Sequence, residues 1–377
     1  MKTSPLINNT AVTNLNSHGV NRHSRAIIDL DALRHNYLYL KELSAGNRVI
    51  AVVKADAYGH GATEVAKALP DADAFAVAAV GEAVSLRKAG INQKILVMGG
   101  FIRADELQTC IDLKLDPVLH HQTHLQALQE ATDLAKMDVW VKVDSGMGRL
   151  GFLPSVVPDI IKQLNDFDTL GNIRLMSHLA NADDSTCDFT HTQIDRIKSM
   201  NLDEYEWGIA NSAGILGWPD AHRLWVRSGI ALYGADPMSD RADQKRNLKP
   251  VMTMKSSVLA VNMHSKGDFI GYANTYCCPQ DMTIAVIATG YADGYPRHKI
   301  GTAQALVKGQ LCDIVGRVSM DMITLDVSHV DNVQVDDDVT FFGASPDVCD
   351  VADCAQTIAY EVLCNVGAHV KREYIRT

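Results

Sequence analysis

Short apolar runs alternate with amphipathic stretches along the first two thirds of the chain. The apolar runs predict strands at 49–54, 74–78, 94–98, 116–119, 138–143, 173–178, 205–210 and 223–227. Helical spacing is found before the first strand and between later ones, at 31–44, 63–69, 82–89, 105–113, 123–135, 155–164 and 190–200. Strand–helix units in this number predict a closed parallel (β/α)8 TIM barrel, in which the last strand returns beside the first.

The pattern changes after Pro250. Short β-like runs follow at 254–261, 282–289, 305–307, 313–315, 322–327 and 338–342. Turn signals separate these runs and helical spacing is scarce, which is typical of a β domain. We therefore predict an α/β barrel over residues 26–248 and a mainly-β C-terminal domain over residues 249–377. Residues 1–25 are rich in Asn, Ser and Thr and contain only short apolar runs, so they predict a flexible tail.

The composition narrows the class of partner. A formal net charge of −10 argues against nucleic acid or an anionic membrane surface. No stretch approaches the ~20 consecutive apolar residues that a membrane helix requires. The 8 cysteines form no CxxC pair, and this is neither a disulfide framework nor a zinc pattern. We therefore expect a reducing compartment, the cytoplasm.

Candidate chemistry begins where the first predicted barrel strand ends. The apolar run 49–53 leads into Lys54, and a Gly-rich loop, with Gly59 and Gly61, follows. A lysine in apolar surroundings loses hydration, so its pKa is expected to fall from the usual ~10.4. An amine with a lowered pKa is a nucleophile able to form a Schiff base with a carbonyl compound. The alternative is a lysine that covers the core with its stem and keeps its ammonium in water.

Other polar residues also follow the C-terminal ends of predicted strands, where barrel enzymes carry their chemistry. They are Arg149, His178, Asn211, Ser212 and Arg227. The loops after the last two strands contain small residues, in Asn211-Ser212-Ala213-Gly214 and Ser228-Gly229-Ile230, and such loops let backbone N–H groups approach an anion. Ordinary turn chemistry would explain either loop alone. A phosphate site facing a Schiff-base lysine indicates pyridoxal phosphate.

Arg227 is the candidate partner of the cofactor's ring nitrogen. A guanidinium is permanently charged and only donates hydrogen bonds, so it cannot protonate a pyridine. The ring would stay largely neutral and act as a weaker electron sink, which disfavours side reactions. An Asp or Glu at this position would suit transamination or decarboxylation instead.

From about Arg25 to the C-terminus, the chain closely resembles the alanine racemase family, which uses pyridoxal phosphate. The resemblance is carried by the motifs AVVKADAYGHG, VDSGMGRLGF, SHLA, NSAG, RSGIALYG, GYANTY, GYADGYPR and GRVSMDM. It implies a (β/α)8 barrel followed by a C-terminal β domain. It also implies a head-to-tail homodimer, in which each β domain completes the active site of the partner subunit.

The resemblance also implies roles for individual residues. Lys54 would carry the cofactor and act as the base on one face of the substrate, and Tyr272 of the other subunit would act on the opposite face. Arg149 would contact the cofactor phenolate and the substrate carboxylate. Met320, through its backbone N–H and again from the other subunit, would also bind that carboxylate.

Further positions are implied to surround the cofactor and the substrate. His178 would lie beside the cofactor ring, and Tyr58, Asn211, Ser212, Gly229 and Ile230 would complete the cofactor site, mainly at the phosphate. Tyr291 and Asp321 would line the substrate entrance. Lys142 matches a lysine that is carbamylated in some members. The C-terminal segment departs from the family, because the small Ala368 stands where relatives carry larger side chains.

The expected activity is therefore interconversion of L-alanine and D-alanine by two bases. A broader racemase that also accepts serine is an alternative, since an apolar pocket discriminates weakly against one added group. A cofactor carrier should lack the β domain, and a related decarboxylase should carry an acid in place of Arg227. Three histidines, at His120, His121 and His124, suggest a metal, but no carboxylate accompanies them, and we expect none. The sequence leaves open whether the protein serves cell-wall synthesis or D-alanine catabolism.

Overall fold

The computed structural model describes residues 22–131, 133–298 and 301–376. Most of the predicted N-terminal tail, residues 1–21, lies outside the described residues. The strands are β1 Arg25–Asp29, β2 Arg48–Val52, β3 Ala74–Val77, β4 Lys94–Val97, β5 Asp116–Leu119, β6 Met137–Lys142, β7 Leu170–Met176, β8 Trp207–Gly208, β9 Trp225–Ser228, β10 Met252–His264, β11 Phe269–Ile270, β12 Tyr276–Cys277, β13 Met282–Ile287, β14 Gln304–Val307, β15 Gln310–Val315, β16 Ile323–Asp326, β17 Asp338–Phe342 and β18 Lys371–Ile375.

The helices are α1 Leu30–Leu43, α2 Lys54–Tyr58, α3 Ala62–Ala68, α4 Val80–Lys88, α5 Ala104–Asp112, α6 Gln122–Glu130, α7 Val157–Asn165, α8 Phe189–Lys198, α9 Ser212–Gly217, α10 Val348–Cys354 and α11 Ala359–Cys364. Apolar side chains at helical spacing explain how they pack. On α7, for example, Val157, Ile160, Ile161 and Leu164 are buried, which is one face of the helix. No helix among the described residues is long and apolar enough to cross a membrane.

The first sheet is the predicted barrel. Its strand order is β8-β7-β6-β5-β4-β3-β2-β9, and neighbouring strands are parallel. The Arg227 N–H donates to the Ala210 carbonyl at 2.9 Å, which joins β9 to the chain just after β8 and nearly closes the barrel. Strands such as β3 are buried along their whole length, as expected where helices cover a parallel sheet. The predicted fold class is therefore confirmed.

The second sheet is the core of the β domain. Its strand order is β13-β16-β15-β14-β17-β10-β1-β18, and the long β10 also pairs with β13. In this sheet β1 is antiparallel to β10 and parallel to β18. Along the described chain, a strand of the β-domain sheet, β1, therefore precedes the barrel strands.

The position of β1 and of the residues before it corrects two sequence predictions. Residues 26–29 were assigned to the barrel, but they belong to the second sheet, because only alternate side chains of β1 are buried, as suits a sheet with one covered face. Residues 22–25 were assigned to the flexible tail, but Ser24 is buried and its hydroxyl donates to Thr289 Oγ1 at 2.8 Å. The boundary near residue 249 stays a prediction.

The C-terminal segment returns to the barrel mouth. A Cβ built on Gly59 would lie 2.4 Å from the Leu363 carbonyl oxygen, so α2 and α11 approach closely. The Arg372 guanidinium donates to the Gly59 carbonyl at 3.1 Å. These contacts place the end of α11 beside the loop that follows β2.

Candidate active site

The lysine at the end of β2 begins a left-handed turn. Ala55, Asp56, Ala57 and Tyr58 have φ values of 51°, 51°, 55° and 54°. The turn is closed by hydrogen bonds from Ala57 N–H to the Val53 carbonyl at 2.9 Å and from Gly59 N–H to the Ala55 carbonyl at 3.0 Å. Left-handed helical geometry costs roughly 1–2 kcal/mol per non-glycine residue. Strain of this kind persists where the surroundings impose it, and such places are commonly functional.

Glu82, at the start of α4, holds this turn in place. Its Oε1 accepts from Ala55 N–H at 2.7 Å, and its Oε2 accepts from the N–H groups of Ala78 and Ala79 at 2.7 and 3.2 Å. One carboxylate therefore ties the residue after Lys54 to the end of the neighbouring strand β3. Sequence reasoning assigned Glu82 only to a helix start. The sequence signal that could have identified it is a glutamate in the first turn of a helix that directly follows a barrel strand.

The electrostatic surroundings of Lys54 favour a reactive amine. Burial lowers its pKa from the ordinary value, and the nearby Arg149 guanidinium lowers it further. Cys364, at the end of α11, and Glu82 act in the opposite direction. Cys364 is a second residue that the sequence analysis missed, since nothing in the local pattern links α11 to the barrel mouth.

A small cradle forms beyond the ends of β8 and β9. Ser212 Oγ accepts from the N–H groups of Gly229 and Ala231 at 2.9 and 3.2 Å. A Cβ added at Gly229 would lie 2.8 Å from the Tyr58 hydroxyl oxygen. Tyr58, Ser212 and Gly229 therefore meet, and the space between them exists only because residue 229 is glycine.

Two more predicted residues border this cradle. Asn211 caps α9, because its Oδ1 accepts from Gly214 N–H at 2.9 Å. Ile230 opens the short 3₁₀ helix Ile230–Tyr233, where leading N–H groups lack intrahelical acceptors. The Ser212 hydroxyl keeps its hydrogen for donation, since its oxygen only accepts in these contacts.

Arg227 lies buried behind the cradle. Its guanidinium donates to the carbonyls of Gly208 and Ile209, each at 3.1 Å, and to the Ser177 carbonyl. Burial lowers the pKa of Arg227 to about 10, so it stays charged at neutral pH. Within the described residues, no carboxylate forms an ion pair with it.

Cations converge around His178. Burial lowers its pKa well below the ordinary value, and four neighbouring basic groups, Arg227, Lys142, Arg149 and Lys54, lower it further. Burial likewise lowers the pKa of Lys142, followed by Arg227 and Arg149, and only Asp144 opposes these effects. The barrel mouth thus brings together Lys54, Lys142, Arg149, His178 and Arg227, and it favours negative charge.

The remaining predicted residues lie on the β domain. The Tyr291 N–H donates to the Ser319 carbonyl at 3.1 Å and the Ala292 N–H to the Met320 carbonyl at 3.0 Å, so two loops join here. The Tyr272 side chain is 64% exposed in the single chain. Tyr272 is therefore accessible on the β domain of the single chain.

Comparisons with known proteins identify the family. Two family models match the chain, "Alanine racemase, N-terminal domain" over residues 28–237 and "Alanine racemase, C-terminal domain" over residues 251–374. The chain belongs to the alanine racemase family. This is a family of isomerases, and the alanine racemase of Nitrosococcus oceani is 42% identical over 349 residues, covering 92% of this chain and 98% of that protein. The alanine racemase of an Azoarcus species is 43% identical over 358 residues, covering 93% and 99%.

Solved alanine racemase structures share the fold. The biosynthetic alanine racemase of Pseudomonas aeruginosa matches with a TM-score of 0.90 and 36% identity, over 94% of this chain and 99% of that one. The alanine racemase of Bartonella henselae, solved with covalently bound pyridoxal phosphate, matches with a TM-score of 0.83 and 31% identity, over 94% and 99%. Because the match includes the C-terminal domain, a single-barrel cofactor carrier is disfavoured.

The histidines near α6 make hydrogen bonds that stabilise the fold. His124 Nε2 hydrogen-bonds the Phe101 carbonyl at 2.8 Å, and its Nδ1 accepts from His120 N–H at 3.1 Å. His120 Nε2 contacts the Gly99 carbonyl at 3.0 Å. Within the described residues, no three His, Cys, Asp or Glu side chains are placed to hold a metal ion.

Proposed function

We propose that this protein interconverts L-alanine and D-alanine and that pyridoxal phosphate is its cofactor. The observation that carries the proposal is one barrel mouth with a lysine of lowered pKa, an anion cradle and a buried arginine, in a chain of the alanine racemase family. An arginine without a carboxylate partner also argues against the decarboxylase alternative, which requires an acid at the ring nitrogen.

The residues present fit this cofactor. Tyr58, Ser212 and Ile230 would hold the phosphate in the cradle that Gly229 leaves open, with Asn211 fixing the loop. Arg227 would face the ring nitrogen, and His178 would lie beside the ring. When bound, pyridoxal phosphate supplies an aldehyde that bonds to an amine and an electron sink that acidifies the Cα–H of an amino acid.

Two residues of this chain would move the proton. The Lys54 amine would act on one face of Cα, and the Tyr272 hydroxyl of a second subunit on the other. A free tyrosine has a pKa of ~10 and is a poor base at neutral pH. The cations around His178 would stabilise a phenolate that enters their field from the second subunit.

Substrate binding is assigned to groups from both domains. The Arg149 guanidinium and the backbone N–H of Met320 from the second subunit would hold the carboxylate, and Tyr291 and Asp321 would line the entrance. The exposure of Tyr272 and Met320 in the single chain supports a homodimer whose β domains complete each other's sites. Such an arrangement buries polar and apolar groups that would otherwise face water.

Lys142 is the candidate for carbamylation. A neutral amine can attack carbon dioxide to give a carbamate and release a proton, and the lowered pKa of Lys142 favours the neutral form. The carbamate would place a negative charge among Arg149 and Arg227. Electron density for an unmodified ammonium would refute this assignment.

Two measurements test the proposal. The purified protein should absorb in the visible range and lose this absorbance in Lys54→Ala, and a chiral assay should detect D-alanine formed from L-alanine. A colourless protein whose Lys54 stays free in excess pyridoxal phosphate would overturn the cofactor assignment. Serine belongs in the same assay, because an apolar pocket discriminates weakly against one added group.

A further inference from the structure

The segment before β1 is anchored beside the proposed substrate loops. Ser24 Oγ lies 2.8 Å from Thr289 Oγ1 and 3.2 Å from the Ala288 carbonyl oxygen, and both Ser24 and Thr289 are buried. Thr289 immediately precedes the Gly290–Tyr291 turn. The chain leading into the β domain is therefore fixed one residue away from the turn that carries Tyr291.

Arg22 extends this anchor across two loops. Its Nη1 lies 3.1 Å from each carboxylate oxygen of Asp293, and its Nη2 lies 2.7 Å from Asp321 Oδ1. The Asp293 side chain is 0% exposed. It also accepts from Gly290 N–H at 3.0 Å and faces His369 Nε2 at 3.3 Å. One guanidinium thus joins the loop of Tyr291 to the residue that follows Met320.

We propose that Arg22 is a positioning residue that fixes the Tyr291 and Met320 loops against each other for binding of the substrate carboxylate. The inference rests on the proposed function, since Met320 and Tyr291 matter only if they meet a substrate. Backbone hydrogen bonds between the loops act in parallel with the bridge.

Contact with both Asp293 and Asp321 requires an arginine at position 22. A planar guanidinium presents several N–H donors in a fixed fork and can satisfy one carboxylate with two hydrogen bonds while reaching another. Without it, Asp293 and Asp321 would repel each other, and the buried Asp293 would lose its cation. A lysine offers one compact ammonium, which can approach one of the two carboxylates closely but does not span both.

The test compares three variants of the full-length holoenzyme in alanine racemisation. Arg22→Gln should raise KM for alanine roughly three- to tenfold and change kcat by less than about twofold, because the loss falls on ground-state binding. Arg22→Lys should fall between Arg22→Gln and wild type. The control is Arg25→Gln, since Arg25 is similarly exposed but pairs with Asp338, away from these loops. It should keep the wild-type KM.

A double-mutant cycle with Asp321→Asn separates the bridge from general destabilisation. If the bridge acts as one unit, Arg22→Gln should raise KM less in the Asp321→Asn background than in wild type. Equal KM values for Arg22→Gln and Arg25→Gln, or full additivity in the cycle, would overturn the inference. A wild-type protein that does not racemise alanine would instead overturn the proposed function, so the two failures are distinguishable.

Discussion

Lys54 and Tyr272 lie in opposite environments within one chain. Lys54 is partly buried among cations, whereas Tyr272 is 64% exposed on the β domain. The pKa of Lys54 is lowered by groups of its own chain, which favours the nucleophilic amine. Under the proposed two-base scheme, Tyr272 would act as a base once a second subunit brings it into the same cationic field.

The pH dependence of cofactor attachment should report the pKa of Lys54. The rate at which visible absorbance appears after mixing apoprotein with pyridoxal phosphate should rise with pH, with a midpoint below the usual ~10.4. Arg149→Gln should move this midpoint upward, because Arg149 lowers the pKa of Lys54, and Glu82→Gln should move it downward, because Glu82 raises it. Shifts in the reverse directions would contradict the assigned electrostatics.

Tyr272→Phe should separate the two faces of the substrate. We expect racemisation to fall by roughly 10²–10⁴, the usual value of one positioned base. D-Alanine should still exchange its Cα proton in deuterated water, since Lys54 can remove and return a proton on its own face. Nuclear magnetic resonance measures this exchange, and normal racemisation by the variant would refute the two-base scheme.

At the scale of elements, the left-handed turn is the feature that sequence reasoning could not supply. The barrel strands were predictable because continuous apolar runs report burial on both faces. Ala55 and Ala57 do not favour positive φ, and contacts distant in sequence, such as the one to the Glu82 carboxylate, impose the turn. The pairing of β1 with β10 was missed for the same reason, as a partner more than 200 residues away leaves no local signal.

Glu82→Gln tests whether the turn is held for function. An amide has one acceptor oxygen in place of two, so the link between Ala55 and the Ala78–Ala79 amides should break on one side. We expect affinity for pyridoxal phosphate to fall about tenfold, measured by titration of apoprotein. The matched control is Glu106→Gln, because Glu106 accepts from Ile102 and Arg103 at the start of α5 in the same manner but does not contact the Lys54 turn. Equal losses in both variants would indicate a general effect on stability.

At the scale of the whole molecule, the β domain contains strands from the first and the last part of the described chain. Its sheet contains β1 and β18, and Arg22 lies against its loops. Tyr272, Tyr291 and Met320 are exposed on the β domain, and the proposed function combines them with the barrel mouth of a second copy. The shared site stays a prediction that rests on the family resemblance, because residue patterns alone cannot tell which subunit supplies Tyr272.

Subunit complementation tests that central claim most directly. Lys54→Ala and Tyr272→Phe proteins, each almost inactive, are mixed under conditions that exchange subunits, and alanine racemisation is measured. A mixed dimer would contain one site with both Lys54 and Tyr272 intact and one site with neither. With random exchange at equal amounts, we predict recovery of about one quarter of wild-type activity. Dimers that exchange subunits, yet recover no activity, would contradict a site shared between subunits.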